Sequence, residues 1–213
     1  MKKYLLLVFL LTVLAGKGFA QSEKIRLGLK ISPLFAFSSI TDDKKNTISG
    51  VDSETRLGFG GGLLFTYQFQ EKFGFQSGIN IVSKGFKYSI PNSNASTTTT
   101  LTTVEIPVLL NMRTNEIANG LRVRGIFGGS LNVLTGAKTT ATLLGITGTT
   151  KDTDGYYRLV PDFVVGAGVE WNLQNIGTLD LGVSYHAPLM PAYDKGNTRI
   201  KISYIALDLG YYF

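Results

Sequence analysis

From residue 24 to the C-terminus the chain alternates apolar and polar side chains with a period of two. In 24–37 the apolar set is Ile25, Leu27, Leu29 and Ile31, and the other parity carries Lys24, Arg26, Gly28, Lys30 and Ser32. The same alternation runs through 55–70 (Leu57, Phe59, Leu63, Phe65, Tyr67, Phe69), 72–88 (Phe73, Phe75, Ile79, Ile81) and 100–113 (Val104, Ile106, Val108, Leu110, Met112). It returns in 121–134, 157–173, 178–187 and 200–213. Period-two alternation marks a strand with one apolar and one polar face. Ordinary strands run to about 5–6 residues, whereas a tilted strand that crosses a bilayer needs about 9–11. These eight segments have the greater length.

The connections alternate as well. The segments near 37–54, 89–99, 135–156 and 188–199 are long and polar, and the links at 71–72, 114–120 and 174–177 are short. Antiparallel neighbours would then carry every long loop at one end, as outer-membrane barrels do. Phe69, Phe73, Trp171, Tyr211 and Phe213 fall at the short-turn end, and Phe35, Phe37, Phe86, Tyr88 and Tyr157 near the long-loop end. That spacing predicts two interfacial aromatic girdles. The fold expected is all-β: an eight-stranded antiparallel up-and-down transmembrane barrel, with apolar side chains in lipid and the polar set inside. Pro107 and Pro161 lie within expected strands and point to bulges there.

An eight-stranded interior is just wide enough for side chains to fill it. The inward parity holds Lys24, Arg26, Lys30, Arg113, Arg122, Arg124 and Arg158 against Glu105, Asp162, Glu170, Asp180 and Asp208. Buried charges require partners. The expectation is a structural interior network of Glu105, Arg122, Arg124, Asp162, Glu170, Asp180 and Asp208, with Glu105 paired to Arg122 or Arg124 on the next strand.

Composition changes the picture in three places. The absence of cysteine excludes a disulfide framework, Cys-based zinc and a lipid anchor on Cys. Lys2-Lys3, the apolar run 4–15 and the small residues Gly18 and Ala20 form the pattern of a cleavable signal peptide over 1–20, leaving 21–213 as the barrel domain. Removing Lys2, Lys3 and Lys17 lowers the formal charge from +6 to +3, so basicity is no nucleic-acid footprint. Export without a second membrane helix places the protein in a Gram-negative envelope, in the outer membrane if the barrel forms.

The chain ends Leu207-Asp208-Leu209-Gly210-Tyr211-Tyr212-Phe213. Leu207, Leu209, Tyr211 and Phe213 resemble the C-terminal insertion signal that barrel-insertion machinery reads. The whole of 21–213 resembles the small outer-membrane β-barrel domain family, labelled "porin family" or PorT-like. The resemblance is carried by Val104-Glu105-Ile106-Pro107-Val108 and by Gly166-Ala167-Gly168-Val169-Glu170-Trp171. It implies no catalytic residues and no cofactor, and PorT-like members are linked to protein secretion.

Other motifs fail on context. Gly58-Phe59-Gly60-Gly61-Gly62 lacks a following helix and a Walker lysine. His186 stands alone in sequence, and Asp152 with Asp154 makes a weak Ca²⁺ loop. Four functions follow. The first is a non-enzymatic structural or interaction protein (envelope integrity, adhesion or docking through four outer loops). A narrow solute channel or an accessory part of a secretion system is the alternative. A lipid-acting enzyme built on Ser184 and His186 comes next, and a soluble barrel with an apolar inside is the last. The partners expected are outer-membrane lipid, the insertion machinery and a surface or secretion-system protein, with no metal.

Overall fold

The computed structural model describes residues 24–41, 52–89, 95–143, 146–196 and 198–213. The expected signal peptide lies outside them. The described elements are the strands β1 (Ile25–Thr41), β2 (Asp52–Glu54), β3 (Arg56–Gln68), β4 (Phe73–Ser89), β5 (Ala95–Arg113), β6 (Leu121–Leu143), β7 (Ile146–Thr150), β8 (Leu159–Asn172), β9 (Thr178–Pro188), β10 (Tyr193–Lys195) and β11 (Thr198–Tyr212). Eight of them form a ring in the order β1-β3-β4-β5-β6-β8-β9-β11, closed by antiparallel pairing of β11 with β1 from Gly28↔Tyr212 to Thr41↔Arg199. The three short strands are outer-end additions to this ring: β2 pairs β4, β7 pairs β6 and β10 pairs β11.

Closure follows from solvent chemistry. In hydrocarbon an unpaired N–H or C=O costs several kcal/mol, so a sheet persists there only without an edge. The two faces obey the predicted parity. Leu27, Ile31, Leu57, Phe59, Ile79, Ile81, Val108, Phe127 and Trp171 are exposed on the outside. Thr66, Gln76, Asn80, Glu105, Asn111, Arg124, Asp162, Glu170, Asp180 and Asp208 are buried inside. Interior glycines allow the close approach of the walls. A Cβ on Gly62 would sit 2.0 Å from the Ile79 carbonyl oxygen, and one on Gly182 would sit 3.0 Å from Arg124 Nη2.

Four expectations are corrected. Segments 95–99 and 135–143 are strand, not loop: β5 and β6 stay paired out to Ala95↔Leu143, well past Val133↔Leu159, where β8 leaves β6. Threonine dominates both faces of this extension, and its β-branched side chain favours strands. The apolar parity lapses because, apart from the buried Thr99 and Ala137, the residues of both faces are partly or fully exposed. Second, Phe86 does not join an outer girdle. It is 3 % exposed and packs inside the barrel with Leu34, Val82, Leu101 and Ile202, and Tyr88 packs against the same cluster. The parity that puts Ile79 and Ile81 outside puts Phe86 inside. Third, the inside is polar only over the short-turn side. Its outer end is plugged by Leu34, Val82, Phe86, Leu101, Val160 and Ile202.

Fourth, the prolines do not make bulges. Ser77↔Val108 and Asn80↔Glu105 share one register, and pairing merely lapses between them, opposite Pro107. The missing N–H removes rungs and shifts nothing. Pro161 stays opposite Leu131 in an unbroken register. The bulge lies at Thr102/Thr103, where Thr135 is the extra residue on β6 and its hydroxyl donates to the Thr102 carbonyl at 2.9 Å.

Ile79 pairs with Leu63 on the lipid face, midway along β4. Ile79→Arg is expected to lower folding stability in bilayers by roughly 2–4 kcal/mol, the scale for a midplane arginine. Thr98→Arg, on the extension, is expected to change it by less than about 0.5 kcal/mol. Urea titration of the refolded barrel, followed by heat-modifiable gel migration, distinguishes the two.

Candidate functional site

The chemistry-bearing side chains lie in the lumen, stacked in layers along the axis. At the short-turn end a polar vestibule of about 540 Å³ is lined by Lys24, Arg26, Glu71, Arg113, Arg122 and Glu170, among others. Its floor is a bidentate pair: Arg26 Nη1 and Nη2 donate to Glu170 Oε2 and Oε1 at 3.1 and 2.9 Å. Arg113 Nη1 is 3.6 Å from the same carboxylate, and the Arg26 guanidinium lies 4.5 Å above the Tyr212 ring. Planar guanidinium groups suit such forked and stacked contacts.

Above this floor, Arg124 Nε donates to Asp180 Oδ1 at 2.5 Å. Next comes Asp208, which accepts from the Ser32 and Ser184 hydroxyls at 2.7 Å each and pairs with Lys30 Nζ at 3.2 Å. Alongside it Glu105 accepts from Tyr204 Oη and from Asn80 Nδ2 at 3.3 Å, and lies 3.4 Å from His186 Nδ1. His186 stacks on Tyr204, with ring centroids 4.2 Å apart. Lys84 Nζ reaches Asn132 Oδ1 at 3.3 Å and Asp162 Oδ2 at 3.4 Å. The apolar plug closes the stack. Cavities near this layer measure about 10 and 20 Å³.

The expected network is therefore divided among partners that neighbouring-strand logic did not name. Glu105 lies opposite Asn132, whereas Arg124 lies opposite Arg113 at the short-turn end of the same strand pair. At the rise of an extended strand that separation is about 26 Å, so neither arginine meets Glu105. Arg122 turns to the rim and pairs with Glu116 at 3.2 Å. Asp162 pairs with Lys84, Glu170 with Arg26, Asp180 with Arg124 and Asp208 with Lys30. Leu207 and Leu209 are exposed on the outer face of β11, and the Tyr211 and Phe213 rings meet edge to face 5.6 Å apart. What sequence reasoning missed is the convergence of Lys84, Tyr204 and His186 with Glu105. Each occupies an inward parity position, which is the signal that could have gathered them.

His186 and Ser184 do come together. Ser184 Oγ is 3.2 Å from His186 Nε2, and Glu105 lies on the Nδ1 side. That order resembles an acyl-transfer triad. Here the Ser184 hydroxyl is spent on Asp208, and Ser184, His186 and Glu105 are 2 %, 3 % and 1 % exposed. A substrate has no approach to them. In the outer loop Asp152 Oδ1 accepts from the Asp154 amide at 2.9 Å, and Lys195 donates to Asp154 Oδ2. That ammonium holds the Asp154 carboxyl below the usual carboxylate range.

The family model described as outer membrane protein beta-barrel domain matches residues 19–194. Among solved structures, the chain is similar to the attachment invasion locus protein Ail of Yersinia pestis in complex with the heparin analogue sucrose octasulfate. Identity is 17 %, over 89 % of this chain and 99 % of that one, with a TM-score of 0.39. It is also similar to the outer membrane protein OprG of Pseudomonas aeruginosa (17 %, 89 % and 94 %, TM-score 0.46) and to Neisserial surface protein A (13 %, 87 % and 97 %, TM-score 0.40). No curated protein matches the sequence.

Removing one member of a buried pair strands the other. Arg124→Met leaves the Asp180 carboxylate alone in the lumen and is expected to cost about 3–5 kcal/mol. Arg124→Met with Asp180→Leu is expected to recover most of that loss. A double-mutant cycle on urea refolding in lipid vesicles measures both.

Proposed function

Because the chain belongs to the outer membrane protein beta-barrel domain family, we propose that it serves the Gram-negative outer membrane as a non-enzymatic structural and interaction protein, not as an open pore. The observation that carries this reading is the filled lumen. Ion pairs of Arg26, Arg124 and Lys30 with Glu170, Asp180 and Asp208 occupy the short-turn half. Phe86, Leu101, Val160 and Ile202 occupy the outer end. A solute would have to break desolvated pairs and then cross an apolar constriction, and hydrophobic constrictions shut channels by dewetting.

The business end is then the part that leaves the membrane. β4, β5, β6 and β7 continue outward as one antiparallel sheet, with Thr97, Thr140, Thr142, Thr147 and Thr149 displaying hydroxyls. Thr140 with Thr149 and Thr142 with Thr147 bridge strands at 3.3 and 3.2 Å, so the displayed hydroxyls are tied across β6 and β7. A sheet of this kind suits docking of a surface or secretion partner. The seam strand, with Leu207, Leu209, Tyr211 and Phe213 along its lipid side, suits recognition by the insertion machinery. The buried Ser184–His186–Glu105 set supports the non-enzymatic reading, since no lipid or peptide bond can reach Ser184.

Planar-bilayer recordings are expected to show no stepwise conductance from the refolded protein, and none from Phe86→Ala with Ile202→Ala, because the ion-pair layers below the plug still fill the lumen. Steady unitary currents from the unaltered barrel would make it a channel. Deleting residues 137–150 should leave heat-modifiable migration intact and abolish binding of cells or secreted proteins to the displayed surface, read by pull-down from outer-membrane vesicles.

A further inference from the structure

Glu105 on β5, Asp162 on β8 and His186 on β9 are the one His-and-carboxylate group among the described residues whose ligand atoms converge, all within 4.8 Å of one another. They are 1 %, 1 % and 3 % exposed.

Hydrogen-bond bookkeeping singles this group out. Asp208 is ionised beside Lys30 and only accepts. The single Ser184 hydroxyl proton therefore goes to Asp208 at 2.7 Å. Ser184 Oγ must then accept from His186 Nε2–H at 3.2 Å. A neutral imidazole with its proton on Nε2 presents a bare lone pair at Nδ1. In that neutral form the lone pair would face Glu105 Oε2 at 3.4 Å, and Nδ1 has no hydrogen-bond partner among the described residues. Two electron-rich atoms would then confront each other in a buried layer. Asp162 Oδ1 also has no partner, nor does Asn80 Oδ1 on the wall of the adjoining cavity of about 10 Å³. The formal charges of the layer leave a deficit on the positive side. Lys30 and Lys84 face Glu105, Asp162 and Asp208, and an uncompensated buried charge is costly.

We propose that Glu105, Asp162 and His186 bind a divalent cation of the borderline transition-metal class inside the barrel. One imidazole nitrogen with carboxylate oxygens is a donor set for Zn²⁺, Mn²⁺ or Fe²⁺ more than for Mg²⁺. The supporting contacts are those a ligating His and carboxylate require. Ser184 fixes the His186 tautomer so that Nδ1 ligates. Lys84 holds Asp162 by Oδ2 and leaves Oδ1 free. Tyr204 stacks on the imidazole and donates to Glu105. Tetrahedral metal–ligand bonds of about 2.0–2.2 Å put donors about 3.4 Å apart, the separation that His186 Nδ1 and Glu105 Oε2 already have, so on loading Asp162 moves in by up to about 1.4 Å. The ion would pin β5, β8 and β9 together across the lumen, just below the plug.

The test uses the untagged full barrel, refolded in detergent with EDTA, exchanged into Zn²⁺ and desalted before elemental analysis. About one Zn²⁺ per chain should be retained, and the temperature of the heat-modifiable band shift should rise by several degrees over the EDTA sample, as for any ligand that binds only the folded state. His186→Gln and Glu105→Gln should each weaken Zn²⁺ binding on the order of 100-fold or more. Glu116→Gln, at the exposed rim, should leave it unchanged. If His186→Gln fails to fold, Zn²⁺ titration of Glu105→Gln and of the unaltered barrel decides alone. Two results overturn the proposal: Zn²⁺ retention equal in the unaltered and His186→Gln barrels, or a transition temperature that responds to acidification and not to Zn²⁺. The second would assign the missing positive charge to a proton on His186.

Discussion

The seam between β1 and β11 is the contact on which everything else in this molecule depends. Hydrocarbon supplies no hydrogen-bond partner to a peptide group, so a strand in lipid is tolerable only with a neighbour on each side. Pairing from Gly28↔Tyr212 to Thr41↔Arg199 removes the last two edges. Closure then creates two environments from one alternating sequence. The outside must be as apolar as lipid, and the inside must be filled, because an eight-stranded cylinder has little room to spare.

That dependence explains which features were legible in the sequence. Wherever one face meets lipid and the other the lumen, parity is enforced residue by residue, and the eight wall strands stand out. Beyond the lipid and above the plug the apolar parity lapses, and 95–99 and 135–143 look like loops although they are strands. Thr97–Thr100 carry the missing information as β-branched propensity, a weaker signal than alternation. Phe86 shows the opposite case. Grouping it with the girdle aromatics followed its position near the loop end and overlooked the parity that sends it inside.

The charges divide along a similar line. Membership of the interior is a local property of parity, so Glu105, Asp162, Glu170, Asp180 and Asp208 were all placed inside from sequence. Partnership is a property of the closed cylinder. Arg26 on β1 meets Glu170 on β8, and Tyr204 on β11 meets Glu105 on β5, across the lumen rather than along the sheet. Nothing in a one-dimensional pattern encodes the stagger that sets those heights. The error over Glu105 and Arg124 is an error of height: both point inward, from levels too far apart to touch.

These cross-lumen pairs do work that the lipid face cannot. A strand that slips by one residue exposes its polar set to lipid and is rejected at once. A slip by two residues preserves both faces and costs the lipid-facing side almost nothing. Inside, the same slip moves a side chain by about 7 Å along the strand, which separates Arg124 from Asp180, Lys84 from Asp162 and Arg26 from Glu170. Each stranded charge would then be buried alone, at about 3–5 kcal/mol apiece. Buried ion pairs add little net stability over apolar packing, but they penalise the registers that alternation leaves degenerate. On this account the polar half of the lumen selects the register, the apolar half seals it, and together they hold the threonine-faced sheet at a defined height above the membrane.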